Sequence, residues 1–209
     1  INNLYQPVVK RYFLIALLLG ISSNATGSID WSSPSTCNIE DSKNLDEIIN
    51  QMTLRQKIGQ IIMPDIQYVT PEEAKKYQLG SILNGGGSWP NNKKTSTVQD
   101  WQNLSKAYYD ASPVIGDQIV PIIWGTDAVH GHSNVIGATV FPHNIGIGAT
   151  QDTDLIKRIA GVVAKEVLST GIVWTFAPTI TVPQNDTWGR TYEGFSENQD
   201  LVSRIGKAF

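Results

Sequence analysis

A single cysteine, Cys37, in 209 residues excludes an internal disulfide framework and a cysteine-based zinc cluster. Charge of neither sign accumulates. Sixteen Lys and Arg stand against nineteen Asp and Glu, a net charge of -3, which gives no electrostatic footprint for nucleic acid or an anionic membrane. No apolar run reaches the roughly 20 residues a spanning helix needs. The G-x-G-x-x-G of a dinucleotide fold is missing, as is H-E-x-x-H, and the glycine run in "LNGGGSW" (Leu83 to Trp89) lacks the G-K-[ST] of a phosphate-binding loop. That segment reads as a flexible rim loop. What remains is 41% hydrophobic and 17% charged, enough for one large domain or two small ones with a full core.

The apolar run that does exist, Tyr12 to Ile21, follows Lys10 and Arg11 and precedes small residues. This is the pattern of a secretory signal, with cleavage after Ala25 and Ser23 two positions before it. Residues 1–27 are read as a signal peptide and 28–43 as a linker, so the predicted location is secreted or periplasmic. The chain starts at Ile1 rather than Met and stops at Phe209 inside a helical pattern opened by Ser196, with Leu201, Val202 and Ile205 on one face. The expectation is the front portion of a larger protein, inactive and poorly folded by itself.

From residue 44 onward helix and strand patterns alternate. Leu45, Ile48, Ile49 and Met52 repeat at helical intervals, and Thr53 with Gln56 forms a capping box for a second helix. Thr70-Pro71-Glu72-Glu73 opens a third, which Gly80 is expected to stop. A helix over 97–110 carries Val98, Trp101, Leu104 and Tyr108 on one face. Asp152 caps another that turns Leu155, Ile159, Val162, Val163 and Val167 inward and ends at Gly171. Between them, 81–83, 120–124 and 172–177 read as buried strands. Strands separated by helices imply an α/β fold with a parallel sheet, satisfied either by a (β/α) barrel or by an open doubly wound sheet. A full barrel needs about 250 residues, so residues 44–209 would supply only part of one.

In such folds chemistry gathers where strands run into helices. Asp127 follows the 120–124 strand by three residues. Its carboxylate can accept two hydrogen bonds at once, as a pair of vicinal sugar hydroxyls requires, or it is a loop cap. His130 and His132 form an H-x-H that, with Asp127, suits a metal ion; the alternative has both imidazoles bonding loop carbonyls. Arg190, beside Trp188, Tyr192 and Glu193, offers five fixed donors to sugar oxygens, or pairs with Glu193 or Glu197.

The segments "MTLRQKIGQ" (Met52 to Gln60), "GTDAVHGHSNVIGATVFPHNIGIGAT" (Gly125 to Thr150), "TFAPTITV" (Thr175 to Val182) and "WGRTYEGFSEN" (Trp188 to Asn198) together resemble the N-terminal part of glycoside hydrolase family 3. The "DAVHGHSNV" form is more similar to the exo-β-1,3/1,4-glucosidase branch than to the N-acetylhexosaminidase branch. The resemblance implies a (β/α)8 barrel of the TIM type, present here only in its N-terminal part. It implies retaining hydrolysis of terminal β-D-glucosyl residues from β-glucosides or β-glucans, without cofactor or metal. It also implies that Asp127 and Arg190 grip the terminal glucose, while nucleophile and acid/base lie beyond Phe209. Two rival readings stand beside it: a metal-dependent hydrolase using His130 and His132, and a non-catalytic carbohydrate-binding relative.

Overall fold

The computed structural model describes residues 39–209. The expected signal peptide and Cys37 lie outside the described residues. The first element, α1 (Ile39–Gln51), begins inside the stretch read as a linker. Next come α2 (Leu54–Gln60) and α3 (Pro71–Tyr77), each opened by a capping box, Thr53 with Gln56 and Thr70 with Glu73. A third box, Thr97 with Asp100, opens α4 (Val98–Asp110). These starts are written locally, because a threonine hydroxyl and an acceptor three residues on satisfy the first amides of a helix.

Helix α3 ends differently from the expectation. Gln78, not Gly80, adopts the left-handed conformation, with φ 57°. Gly80 answers a packing demand instead, since a Cβ there would sit 2.6 Å from Oε1 of Gln60.

Strands β1 (Ser81–Asn84), β4 (Ile123–Thr126) and β5 (Trp174–Thr175) form a parallel sheet in the order β1-β4-β5. Ser81 pairs with Ile123 and Asn84 with Thr126, and Gly125 pairs with Trp174. A single bridge from Asp65 to Leu83 extends the sheet on its other side. The α/β class and parallel pairing are as expected; among the described residues the sheet is an open arc, not a closed barrel. Two strands differ from their predicted spans. Pro121 lacks an amide donor, and Val120 donates to Pro113 O beside a short antiparallel pair, β2 (Val114–Ile115) with β3 (Gln118–Ile119). Ladder pairing therefore starts at Ile123 and runs to Thr126. In the third strand only Trp174 and Thr175 pair.

The core lies between this sheet and its helices. Trp101 and Tyr108 of α4 pack on Trp124, and the Tyr108 hydroxyl donates to Val69 O at 2.6 Å. Helix α5 (Asn144–Ala149) is followed by α6 (Thr153–Ser169), which buries Ile156, Ile159, Ala160, Val163 and Val167. Val162, expected inward, is exposed, because the buried stripe is centred on Ile156 and Val163. Gly171 closes that helix with φ 82°, as expected. The last helix, α7 (Gln199–Ala208), buries Leu201, Val202 and Ile205, but its cap is Asn198, whose Oδ1 accepts from Asp200 N and Leu201 N. Ser196 stands two residues earlier and accepts from Asn198 N.

Candidate functional site

The C-terminal rim of the sheet collects the polar groups. Strand β4 ends at Thr126, so Asp127 is the first residue past it, exposed on the rim. Its carboxyl, partly desolvated by the rim around it, is held above the usual aspartate range first by that partial burial and then by the charge of Glu193, while Arg190 pulls the other way. Asp127 thus feels both members of a pair carried by the segment after β5. Within that pair, Arg190 Nε and Nη2 donate to the two carboxylate oxygens of Glu193 at 2.8 and 2.5 Å. Of the partners considered for Arg190, Glu193 is the one it meets. Arg190 remains exposed, whereas the Glu193 side chain is nearly covered. The arginine holds the Glu193 carboxyl below the ordinary glutamate range.

A second carboxylate, Asp65, organises the rim from below. Its Oδ2 accepts from Gly85 N at 3.1 Å and Ser88 Oγ at 2.7 Å, and its Oδ1 from Gln67 N at 2.8 Å. Gln67 Nε2 donates to Gly87 O, and Asn134 Nδ2 to Gly85 O at 2.8 Å. The glycine loop expected to be flexible is therefore tied on both sides. Sequence reasoning passed over Asp65, which sits in no motif; its partners in the glycine loop lie 20 and 23 residues away. A Cβ on Gly85 would lie 3.8 Å from Asp65 Oδ2 and 4.0 Å from Asp127 Oδ2, so this glycine separates the two carboxylates.

The two histidines of the H-x-H are not brought together. Gly131 between them has φ 112°, and a Cβ there would collide with Thr139 O. This conformation breaks the alternation that would point both rings one way. His130 bonds Phe141 O through Nδ1 at 2.8 Å and stacks on His143, with centroids 4.0 Å apart. His132 is fully buried against Trp101 and bonds Thr170 Oγ1. Among the described residues no group of three His, Cys, Asp or Glu is placed to hold a metal ion. His130 meets the loop-carbonyl expectation and His132 does not. An apolar cavity of about 690 Å³ opens at the opposite end of the strands, around Ile48, Met52, Ser81 and Val173, away from these groups.

The parallel α/β sheet thus carries a carboxylate just past β4 and a guanidinium in the segment that follows β5, on the rim where such folds bind their ligands. The glycosyl hydrolase family 3 N-terminal domain matches residues 53–209, and the chain belongs to that family. It is 31% identical over 180 residues to the lysosomal beta glucosidase of Dictyostelium discoideum, covering 78% of this chain and 22% of that protein. With the periplasmic beta-glucosidase of Salmonella typhimurium it shares 29% identity over 166 residues, 77% of this chain and 19% of that one. The crystal structure of an exo-1,3/1,4-beta-glucanase from a Pseudoalteromonas species superposes with a TM-score of 0.74 at 48% identity, over 80% of this chain and 21% of that one. The chain spans about a fifth of the length of these relatives.

Proposed function

We propose that this chain is the sugar-gripping part of an exported family 3 glycoside hydrolase that releases terminal, non-reducing β-D-glucosyl residues from β-glucosides or β-glucans. The observation that carries the reading is the electrostatic meeting of Asp127 and Arg190 at one rim, on an arc that belongs with a TIM-type barrel. A carboxylate accepts from two neighbouring sugar hydroxyls, and a guanidinium donates to their oxygens. Together they fix a terminal ring in place. The fork to Glu193 leaves Arg190 with Nη1 and one N–H of Nη2 for the ligand.

Hydrolysis with retention uses one carboxylate as nucleophile and another as acid and base. Asp127 and Arg190 take neither role; they hold the sugar while carboxylates supplied from outside this chain act. Binding that tightens as the ring flattens towards an oxocarbenium ion lowers the barrier itself, so loss of a grip costs turnover as well as affinity. Export is supported by the signal-like N-terminus and by the periplasmic location in a relative's name.

The test uses a protein carrying this chain together with the rest of the length its relatives possess. With an aryl β-glucoside, NMR of the first-formed sugar is expected to show the β anomer. Asp127→Ala is expected to lower kcat/KM by an amount worth about 2–5 kcal/mol, the range for breaking a buried charged contact. First release of the α anomer overturns retention, and unchanged kinetics remove Asp127 from the site.

A further inference from the structure

The side of the sheet that faces the helices carries a polar cluster distinct from the rim. Ile82 and Asn84 of β1 pair in register with Trp124 and Thr126 of β4, and all four are buried. Residues two apart along a strand share a face, so these four lie on one side of the sheet. Trp101 of α4 packs on that side, its ring 5.9 Å from Trp124 and 5.8 Å from His132. Asn84, Thr126, Trp101 and His132 therefore belong to one layer.

In that layer four buried side-chain atoms make no hydrogen bond: Asn84 Nδ2, Thr126 Oγ1, Trp101 Nε1 and His132 Nδ1. Native interiors rarely leave such atoms bare, and here the residues that carry them share one layer. The partners of each residue define what each bare atom offers. Trp124 Nε1 is only a donor, so the Asn84 atom it meets at 2.8 Å is the oxygen, and the amide nitrogen is left as a free donor. Thr170 Oγ1 gives its hydrogen to Val167 O at 2.6 Å. It must then accept from His132 Nε2 at 3.1 Å, which fixes the proton on Nε2 and a bare lone pair on Nδ1. Trp101 Nε1 is a donor, and the Thr126 hydroxyl can either accept or donate.

Two fixed donors, one fixed acceptor and one hydroxyl able to do either thus lie in one buried layer, on residues of β1, α4, β4 and the loop of His132. A cation would be repelled by the two N–H groups, an anion by the imidazole lone pair, and an apolar occupant would satisfy none of them. A water molecule accepts twice and donates twice. We propose that Asn84, Thr126, Trp101 and His132 form a binding site for an internal water beneath the rim. Asn84 and Thr126 immediately precede Gly85 and Asp127, so this water ties the two strand ends that carry the site to α4 and to the loop of His132. It also supplies a reason for the second imidazole of the H-x-H. Internal waters with three or four partners are integral parts of the fold they occupy.

The experiment is a high-resolution crystal structure of the protein carrying this chain, paired with water-to-amide magnetisation transfer on a nitrogen-labelled sample. An oxygen within about 2.7–3.2 Å of at least three of the four atoms is expected. The Trp101 indole N–H should exchange magnetisation with a long-lived water. An empty layer, or a resolved nitrogen–nitrogen coupling from a direct Trp101 Nε1–H to His132 Nδ1 bond, overturns the proposal. Thr126→Val keeps the shape and removes one partner, so the water should exchange measurably faster in that variant; an unchanged residence time also counts against the four-point site. If Trp101→Phe, needed to assign the indole signal, fails to fold, the crystallographic criterion decides alone.

Discussion

Glu193 holds Arg190 by both carboxylate oxygens, at 2.8 and 2.5 Å, within a single turn of 3-10 helix (Thr191–Glu193) that Arg190 itself precedes. The fork fixes the plane of a side chain that is otherwise free in solvent, and a preset donor loses less rotamer entropy when a ligand arrives. In the complete protein, Glu193→Gln keeps the shape but removes the charge and leaves one neutral acceptor for the guanidinium. A rise in KM of about tenfold is expected, the equivalent of about 1.4 kcal/mol, with a smaller change in kcat. Steady-state kinetics with an aryl β-glucoside measure it, and an unaltered KM would mean that Arg190 needs no such support.

Asp127 gives a pH signature. Its carboxyl is raised by partial burial and by the Glu193 charge, so the ionised form, the one proposed to accept from the sugar, is favoured only at a higher pH than for an ordinary aspartate. Affinity for glucose should grow with pH through that raised value. In Glu193→Gln the repelling charge is gone, and the acid limb should move towards lower pH. Calorimetric titrations across the acid range compare the two. The same shift has a stability consequence of opposite sense: a raised carboxyl favours the folded state only when protonated, so stability falls as pH rises through the window. Asp127→Asn is expected to unfold at a higher urea concentration at neutral pH while binding sugar poorly.

His132 behaves the other way. Burial lowers it from 6.5 to about 4, so between those values the unfolded chain takes up a proton that the folded chain refuses. Stability is therefore complete above 6.5 and declines as pH falls towards 4, by an amount on the order of 3 kcal/mol. Replacing the ring in His132→Gln should flatten the slope of unfolding free energy against pH in this interval. Urea melts at several pH values are the measurement, and a slope as steep as the wild type's would assign the acid sensitivity to other groups.

Gly148 in α5 touches the segment that follows Glu193. A Cβ there would collide with Phe195 O, a backbone atom with no freedom to move aside. Gly148→Ala should cost about 3 kcal/mol or more in a denaturant melt, well beyond an ordinary helix glycine, where alanine is the better former. A neutral or stabilising result would show that the 191–195 turn can shift, and with it Arg190.

Helix starts were legible because their causes are local: Thr53 with Gln56 and Thr70 with Glu73 are each three residues apart. The parallel α/β class followed from the alternation of apolar runs. Strand limits were less accessible, since Pro121 breaks a ladder whose other half lies some forty residues earlier, at β1. On the rim, Asp127 and Arg190 stood out as polar residues in long motifs, and the structure brings them into mutual electrostatic reach. Asp65 did not stand out, because its tie to the glycine loop runs to residues 85 and 88, distant in the chain. The H-x-H misled for one reason: a strand-like reading of alternate residues takes no account of a glycine at positive φ.

The missing side chain at position 85 carries a last implication. The space it leaves lies between a carboxylate committed to the backbone and one open to solvent, with no other heavy atom within 4 Å of where a Cβ would be. Any residue larger than glycine would narrow the approach to Asp127 from that flank. If Asp127 holds the sugar as proposed, variation at this one site would alter the room beside the ring without touching the groups that bind it.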